Sequence, residues 1–261
     1  MRPTAWLLAV VGLSAVGCQF NAARNPNDPN AVSAARQPIV ISAYMKQMSE
    51  EVIGPAVSRD EITKEQGDQM MVEGAKAYLE TVHLKNTPAN LAWMLGEDYM
   101  AAHEWDRAEK LLKQALTVDS GPDRVVHDTV WLARCQAELG DVSDAIKTAR
   151  SSFSAPPDWK WPILYAVYLE IVPAAERQKP STRIELAHLV EDAIKQHEAA
   201  TGSTDDPSRR DYLFARAFHI SRAWGLVVKL YDAANRPDLA RAAAAAATAK
   251  SQHPSAGVVQ T

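Results

Sequence analysis

Small residues recurring at fixed distances from larger ones constrain this chain more than any other feature. Between residues 95 and 115 it reads Leu95-Gly96-x2-Tyr99-x8-Ala108-x3-Leu112-x2-Ala115, and 37 positions later a weaker copy reads Leu132-Ala133-x2-Gln136-x8-Ala145-x3-Ala149-x2-Ser152. Steps of three and four collect residues on one face of a helix. Gly96 and Ala108 on such a face let two helical backbones approach closely. The chain is therefore expected to be helical. Composition agrees, since 11 glycines and 4 phenylalanines stand against an abundance of Ala, Leu, Glu, Lys, Arg and Gln, residues that lose little on entering a helix. A hydrophobic content of 47% with 23% charged residues excludes wholesale disorder, and a formal charge of -4 offers no basic excess for nucleic acid.

The spaced residues resemble the tetratricopeptide repeat, a helix-turn-helix unit of about 34 residues. Repeat one runs from Ala89 to Pro122, with His103-Glu104-Trp105 as its turn. Repeat two runs from Val126 to Pro157, with Asp123, Arg124 and Val125 as an insertion in the connecting loop. Its turn is Leu139-Gly140-Asp141, where Gly140 suits a left-handed helix end and Asp141 can cap the next helix. Trp224-x2-Val227-x3-Tyr231, Asn235-Arg236-Pro237 and Ala240-x3-Ala244-x2-Ala247 fit the same frame near the C-terminus. The resemblance implies an all-α fold, a short right-handed solenoid whose first helices line a concave protein-binding groove. Carried onto this chain, the groove takes Asn90, Trp93, Glu97 and Met100 from repeat one, His127, Val130, Arg134 and Glu138 from repeat two, and Arg222 and Lys229 from the last. Trp93 and Arg134 are of the types that most often dominate interface energies. Cys135 falls at a buried small-residue position and reads as packing.

The flanking segments divide the rest. Residues 1–17 have a basic start, an apolar run from Ala5 to Val16 and small residues before Cys18, the layout of a secretion leader too short to span a bilayer. Ser14-Ala15-Val16-Gly17-Cys18 resembles the lipobox of bacterial lipoproteins, with Ala15 where Leu is commonest. That resemblance implies cleavage before Cys18, acylation of its thiol and anchoring in the cell envelope, and Gln19 after the cysteine resembles the outer-membrane signal. Residues 18–37, with Asn-Pro-Asn-Asp-Pro-Asn and no hydrophobic period, read as a flexible tether. Residues 38–88 read as an N-terminal helical hairpin: one helix from Ile39 ended by Gly54-Pro55, a capping box at Ser58 and Glu61, and a second helix stopped by Asn86-Thr87-Pro88. Residues 89–157 hold the first two repeats. Residues 158–207 read as a divergent helical pair, bent at Pro173 and reopened by a capping box at Thr182 and Glu185, and residues 208–254 as the C-terminal pair.

No Gly-rich phosphate loop, His-Glu-x-x-His, Cys-x2-Cys or Gly-x-Ser-x-Gly motif occurs. Glu80-x2-His83 and Glu185-x2-His188 have the spacing of di-metal helical bundles, with Glu97 and Glu138 as loose candidates for the further carboxylates. Three functions from different classes follow: a lipid-anchored scaffold binding a protein or peptide and using no cofactor, a helical metalloenzyme, and a self-associating envelope spacer. Replacing Cys18 with Ala should move the protein from the membrane to the soluble periplasmic fraction; a variant still sedimenting with membranes would remove the lipobox reading.

Overall fold

Every regular element in the computed structural model is helical, with no strand among the described residues 27–118, 121–154, 162–199 and 207–252. Cys18 and the expected leader, the expected Gly202–Pro207 loop apart from its last residue, Pro156-Pro157 and the residues from His253 onward lie outside them. No helix among the described residues is long and apolar enough to cross a membrane.

Pro55, expected to end a helix, does not, and Pro173, expected to bend one, sits inside a continuous helical run. Proline lacks the N–H of a helical ladder, and its ring collides with the carbonyl four residues back. The chain accommodates both by widening the turn before them. Helix α1 (Gln37–Gln47) passes through a π turn (Met48–Ile53) into α2 (Gly54–Ser58), and the Gly54 N–H bonds the Ser49 carbonyl five residues back. Pro173 is treated alike: α8 (Ile163–Ala166), a π turn (Val167–Ile171) and α9 (Val172–Gln178) form one run in which the Val172 N–H reaches Val167. The capping box also shifts. Thr63 and Gln66, rather than Ser58 and Glu61, satisfy each other's backbone N–H at the start of α3 (Lys64–Glu80), at 3.2 and 2.8 Å. Ser58 donates to the Gly54 carbonyl instead, and Thr182 to that of Lys179.

Three hairpins follow one backbone plan. They are α4 (Ala92–Ala101) with α5 (Trp105–Ala115), α6 (Pro122–Glu138) with α7 (Val142–Ser151), and α11 (Pro207–Ala233) with α12 (Pro237–Gln252). Each first helix ends in a left-handed residue, His103, Gly140 and Asn235 respectively. The following N–H then reaches back to a carbonyl five residues earlier: Glu104 to Tyr99, Asp141 to Gln136 and Arg236 to Tyr231, each at 2.9 Å. Paired with the shorter bond from the left-handed residue itself, this is a Schellman end that satisfies the terminal carbonyls. Asp141 opens α7 with its backbone carbonyl; its side chain makes no cap bond. In the first hairpin a Cβ on Gly96 would lie 3.0 Å from Leu112 Cγ, so a larger residue there would push the helices apart.

Asp123–Val125 do not form a loop. Gly121 (φ +84°) and Pro122 at the first helical position start α6 directly, so these residues make its first turn. From there α6 joins two cores. Ile41, Met45, Ala75, Leu79, Leu95, Tyr99, Ala108 and Leu112 form one with Leu132 and Cys135. Ala145, Ile146, Leu164, Ile171 and the buried residues of α10 (Arg183–Ala199), α11 and α12 form the other with Val130, Ala133 and Ala137.

The end of the expected tether is folded. Asn30 Nδ2 donates to the Thr81 carbonyl and Asn30 Oδ1 accepts from the His83 N–H. The buried Gln37 amide donates to the carbonyls of Pro29 and His83 and accepts from the Lys85 N–H. Lys85 also reaches the carbonyls of Asn30 and Val32. Side-chain amides supply the order that apolar periodicity lacked.

Helix α1 docks on α4 over one buried charge. Asp98 is 5% exposed, and the Ser42 hydroxyl donates to it at 2.8 Å. Burial, with Glu97 adding like charge, raises its pKa to about 7. A carboxyl whose folded pKa lies above its unfolded value takes up a proton on folding, so its stability contribution is lost as pH rises from about 4 through about 7. Asp98→Asn should match wild type near pH 4 and exceed it by about 2–4 kcal/mol at pH 8 in urea unfolding; a gap independent of pH would contradict the assignment.

Candidate functional site

A helix buried on two sides must gather its polar residues along the seam. At about 100° per residue, Arg124, His127, Trp131, Arg134 and Glu138 of α6 fall within about 80° of one another, between the faces turned to the two cores. Along this stripe the charges form two knots, each around an arginine.

In the first knot, Arg124 Nε donates to Asp128 at 2.6 Å and Nη2 donates to Glu97 at 2.9 Å. The guanidinium lies 3.9 Å above the centre of the Trp93 ring, a cation–π contact linking α4 to α6. Asp128 is 1% exposed, Arg124 21% and Glu97 35% by side chain, so the knot is partly desolvated. Burial lifts the Glu97 and Asp128 carboxyls above their ordinary range against the opposing pull of Arg124. His127 has Arg124 Nη2 at 2.6 Å from Nδ1 and the Trp131 indole N–H at 3.2 Å from Nε2. A neutral imidazole accepts at one nitrogen only, so the tautomer decides which contact is a hydrogen bond. With the proton on Nδ1 the ring faces Glu97 at 3.4 Å and accepts from Trp131.

In the second knot, Arg134 pairs with Glu138, at 3.1–3.2 Å, and with Glu170. Arg177 holds both oxygens of Glu138 at 2.9 Å. Arg134 also lies 5.4 Å from the Trp105 ring, which stacks on His103 at 5.0 Å. The turn between α4 and α5, the middle of α6 and the π-turn rod α8–α9 therefore meet at this arginine.

The structure thus brings together Trp93, Glu97 and His127 around Arg124, and Arg134 with Glu138. Met100 is partly buried against the first core and Asn90 is exposed. Val130 is misassigned by the repeat frame: it is 1% exposed and belongs to the second core, because its side of α6 turns to α7, to α9 and to the π turn before α9. Arg222 and Lys229 are exposed on α11, Arg222 over the Phe218 ring, in neither knot. Arg124, Asp128, Trp131, Glu170 and Arg177 had no place in the expected site. Arg124-x3-Asp128 has i, i+4 spacing like Arg134-x3-Glu138, legible only once Gly121-Pro122 is taken as the helix start.

The two Glu/His pairs do not converge. His83 lies beyond the end of α3 and is held by Asn30 through its backbone, while Glu185 and His188 on α10 border a hollow of about 250 Å³ with Ser143, Lys147 and Arg150 of α7. Among the described residues only Glu97, His127 and Asp128 place three possible metal-ligand atoms within 4.8 Å of one another. The Arg124 guanidinium already contacts all three side chains, so a metal ion would have to displace it. The buried Cys135 thiol is pushed up to about 12 by desolvation, which leaves it protonated and inert.

No protein-family model matches the chain, and a search of curated proteins gives no match.

Removing Arg124 strands a buried carboxylate. Arg124→Ala should destabilise by about 2–3 kcal/mol, whereas adding Asp128→Asn should recover part of the loss, for a coupling of about 1–2 kcal/mol in a double-mutant cycle read by urea unfolding. Strict additivity would show that the pair is not energetically joined.

Proposed function

We propose that this chain is a lipid-anchored scaffold of the bacterial envelope, that its hairpins form a tetratricopeptide-like array, and that it binds a protein segment along the seam of α6. One observation carries the binding assignment. Three half-buried tryptophans, Trp93, Trp105 and Trp131, line the same seam as Arg124 and Arg134, the side-chain types richest in interface energy. The tryptophan rings, two of which already hold an arginine of this chain, favour a segment bearing basic side chains. The repeat assignment is supported by the three Schellman-ended hairpins, two of them 37 residues apart at His103 and Gly140, matching the offset of the small-residue pattern. The anchor rests on the sequence around Cys18.

Tagged protein should capture its partner from detergent-solubilised membranes, and Trp93→Ala combined with Arg134→Ala should reduce that capture at least tenfold while circular dichroism still reports a folded helical protein. Arg222→Ala with Lys229→Ala, outside both knots, serves as the control. Equal capture by both double variants would move the binding surface away from the seam.

A further inference from the structure

The N-terminal strap does more than order a few residues, because fastening residues 29–37 to the body limits how far that end can lie from Cys18. From residue 18 to residue 27, where the described structure begins, is nine steps. Whatever their conformation, nine steps reach at most about 30 Å, against about 65 Å for a tether free to residue 37. Asn30 and Gln37 fasten residues 29–37 to the chain around Thr81, His83 and Lys85, so the folded body hangs from this end.

We propose that the end formed by residues 27–37 and the loop from Thr81 to Thr87 lies against the lipid surface into which the acyl chains on Cys18 insert. The inference rests on the lipid-anchor reading and adds an orientation to it. The surface chemistry of this end suits a bilayer interface. Leu84, 42% exposed, is bracketed by the two residues whose backbone Gln37 holds, and Ile39, 49% exposed, lies in the same first turn of α1 as Gln37. Arg36 is exposed beside them. Apolar side chains with a cation at the headgroup level are favoured by burial into the interface and by attraction to anionic lipid. At the other end, α12 packs principally on α11 and belongs to the core that excludes α1–α5. One end of the helical array is thereby held near the membrane and the other is directed away from it.

Energy transfer tests this on the acylated full-length chain in phosphatidylethanolamine–phosphatidylglycerol vesicles carrying an acceptor dye on the lipid headgroups. A donor dye is placed at Leu84→Cys or, in a separate protein, at Arg241→Cys on α12; Cys135 is fully buried and stays unlabelled. Transfer from position 84 is expected to exceed that from position 241 at least twofold, and releasing the strap with Asn30→Ala and Gln37→Ala should bring the two values together. Equal transfer from both positions, in protein that binds vesicles and fails to bind as Cys18→Ala, overturns the orientation alone. Failure of the intact protein to bind, or equal binding by Cys18→Ala, overturns the lipid anchor and the orientation with it.

Discussion

The double burial of α6 is the constraint on which the rest of the molecule depends. One side of this helix completes the core built by α1 to α5, and the other completes the core built by α7 to α12. Its polar residues are left a narrow seam, and a charge in a narrow seam loses much of its hydration. Each arginine there is accordingly met by at least two carboxylates and an aromatic face. These pairs also bear on the recognition proposed for the seam. Because the charges and the Trp93 and Trp105 faces are already matched within the chain, the binding proposed for this seam would require a partner to displace an arginine from part of its contacts.

Backbone devices, more than side-chain pattern, set the geometry around that seam. The two π turns let Pro55 and Pro173 stay inside long rods, and the second carries Glu170 toward Arg134. A helix stopped at Pro173, as proline chemistry alone suggests, would have ended the rod at the point where it now continues to Arg177, the second arginine on Glu138. The Schellman ends act in the same way at the hairpins. By closing each first helix with a left-handed residue they turn the chain within a few residues and set the Trp105 ring, at the start of α5, within reach of Arg134.

What was legible in the sequence was whatever a helical period or a turn residue encodes locally. Gly96, Ala108, Leu112 and Ala145 announced buried contacts, and Gly140 announced its positive φ. The left-handed His103 and Asn235 were less visible, since a residue with a Cβ pays for that conformation and only the surrounding bonds reveal why it is adopted. The seam was half legible. Trp93, Glu97, His127, Arg134 and Glu138 emerged from repeat spacing, whereas Arg124 was assigned to a loop because a 37-residue offset against a 34-residue unit invites an insertion rather than a longer helix. Val130 failed for a related reason: the frame treats the first helix of a repeat as having one buried side, and α6 has two. The strap was hidden altogether, because Asn30 and Gln37 act through side-chain amide hydrogen bonds to residues about 50 positions away, which no periodicity reports.

The hairpins pack chiefly on their neighbours in sequence, and this grades stability along the chain. Helix α12 touches the body mainly through α11 and can open while both cores remain intact, whereas opening α6 exposes part of each core at once. Opening of α12 alone leaves the tryptophan-lined seam closed, because none of the residues that line it packs on that helix.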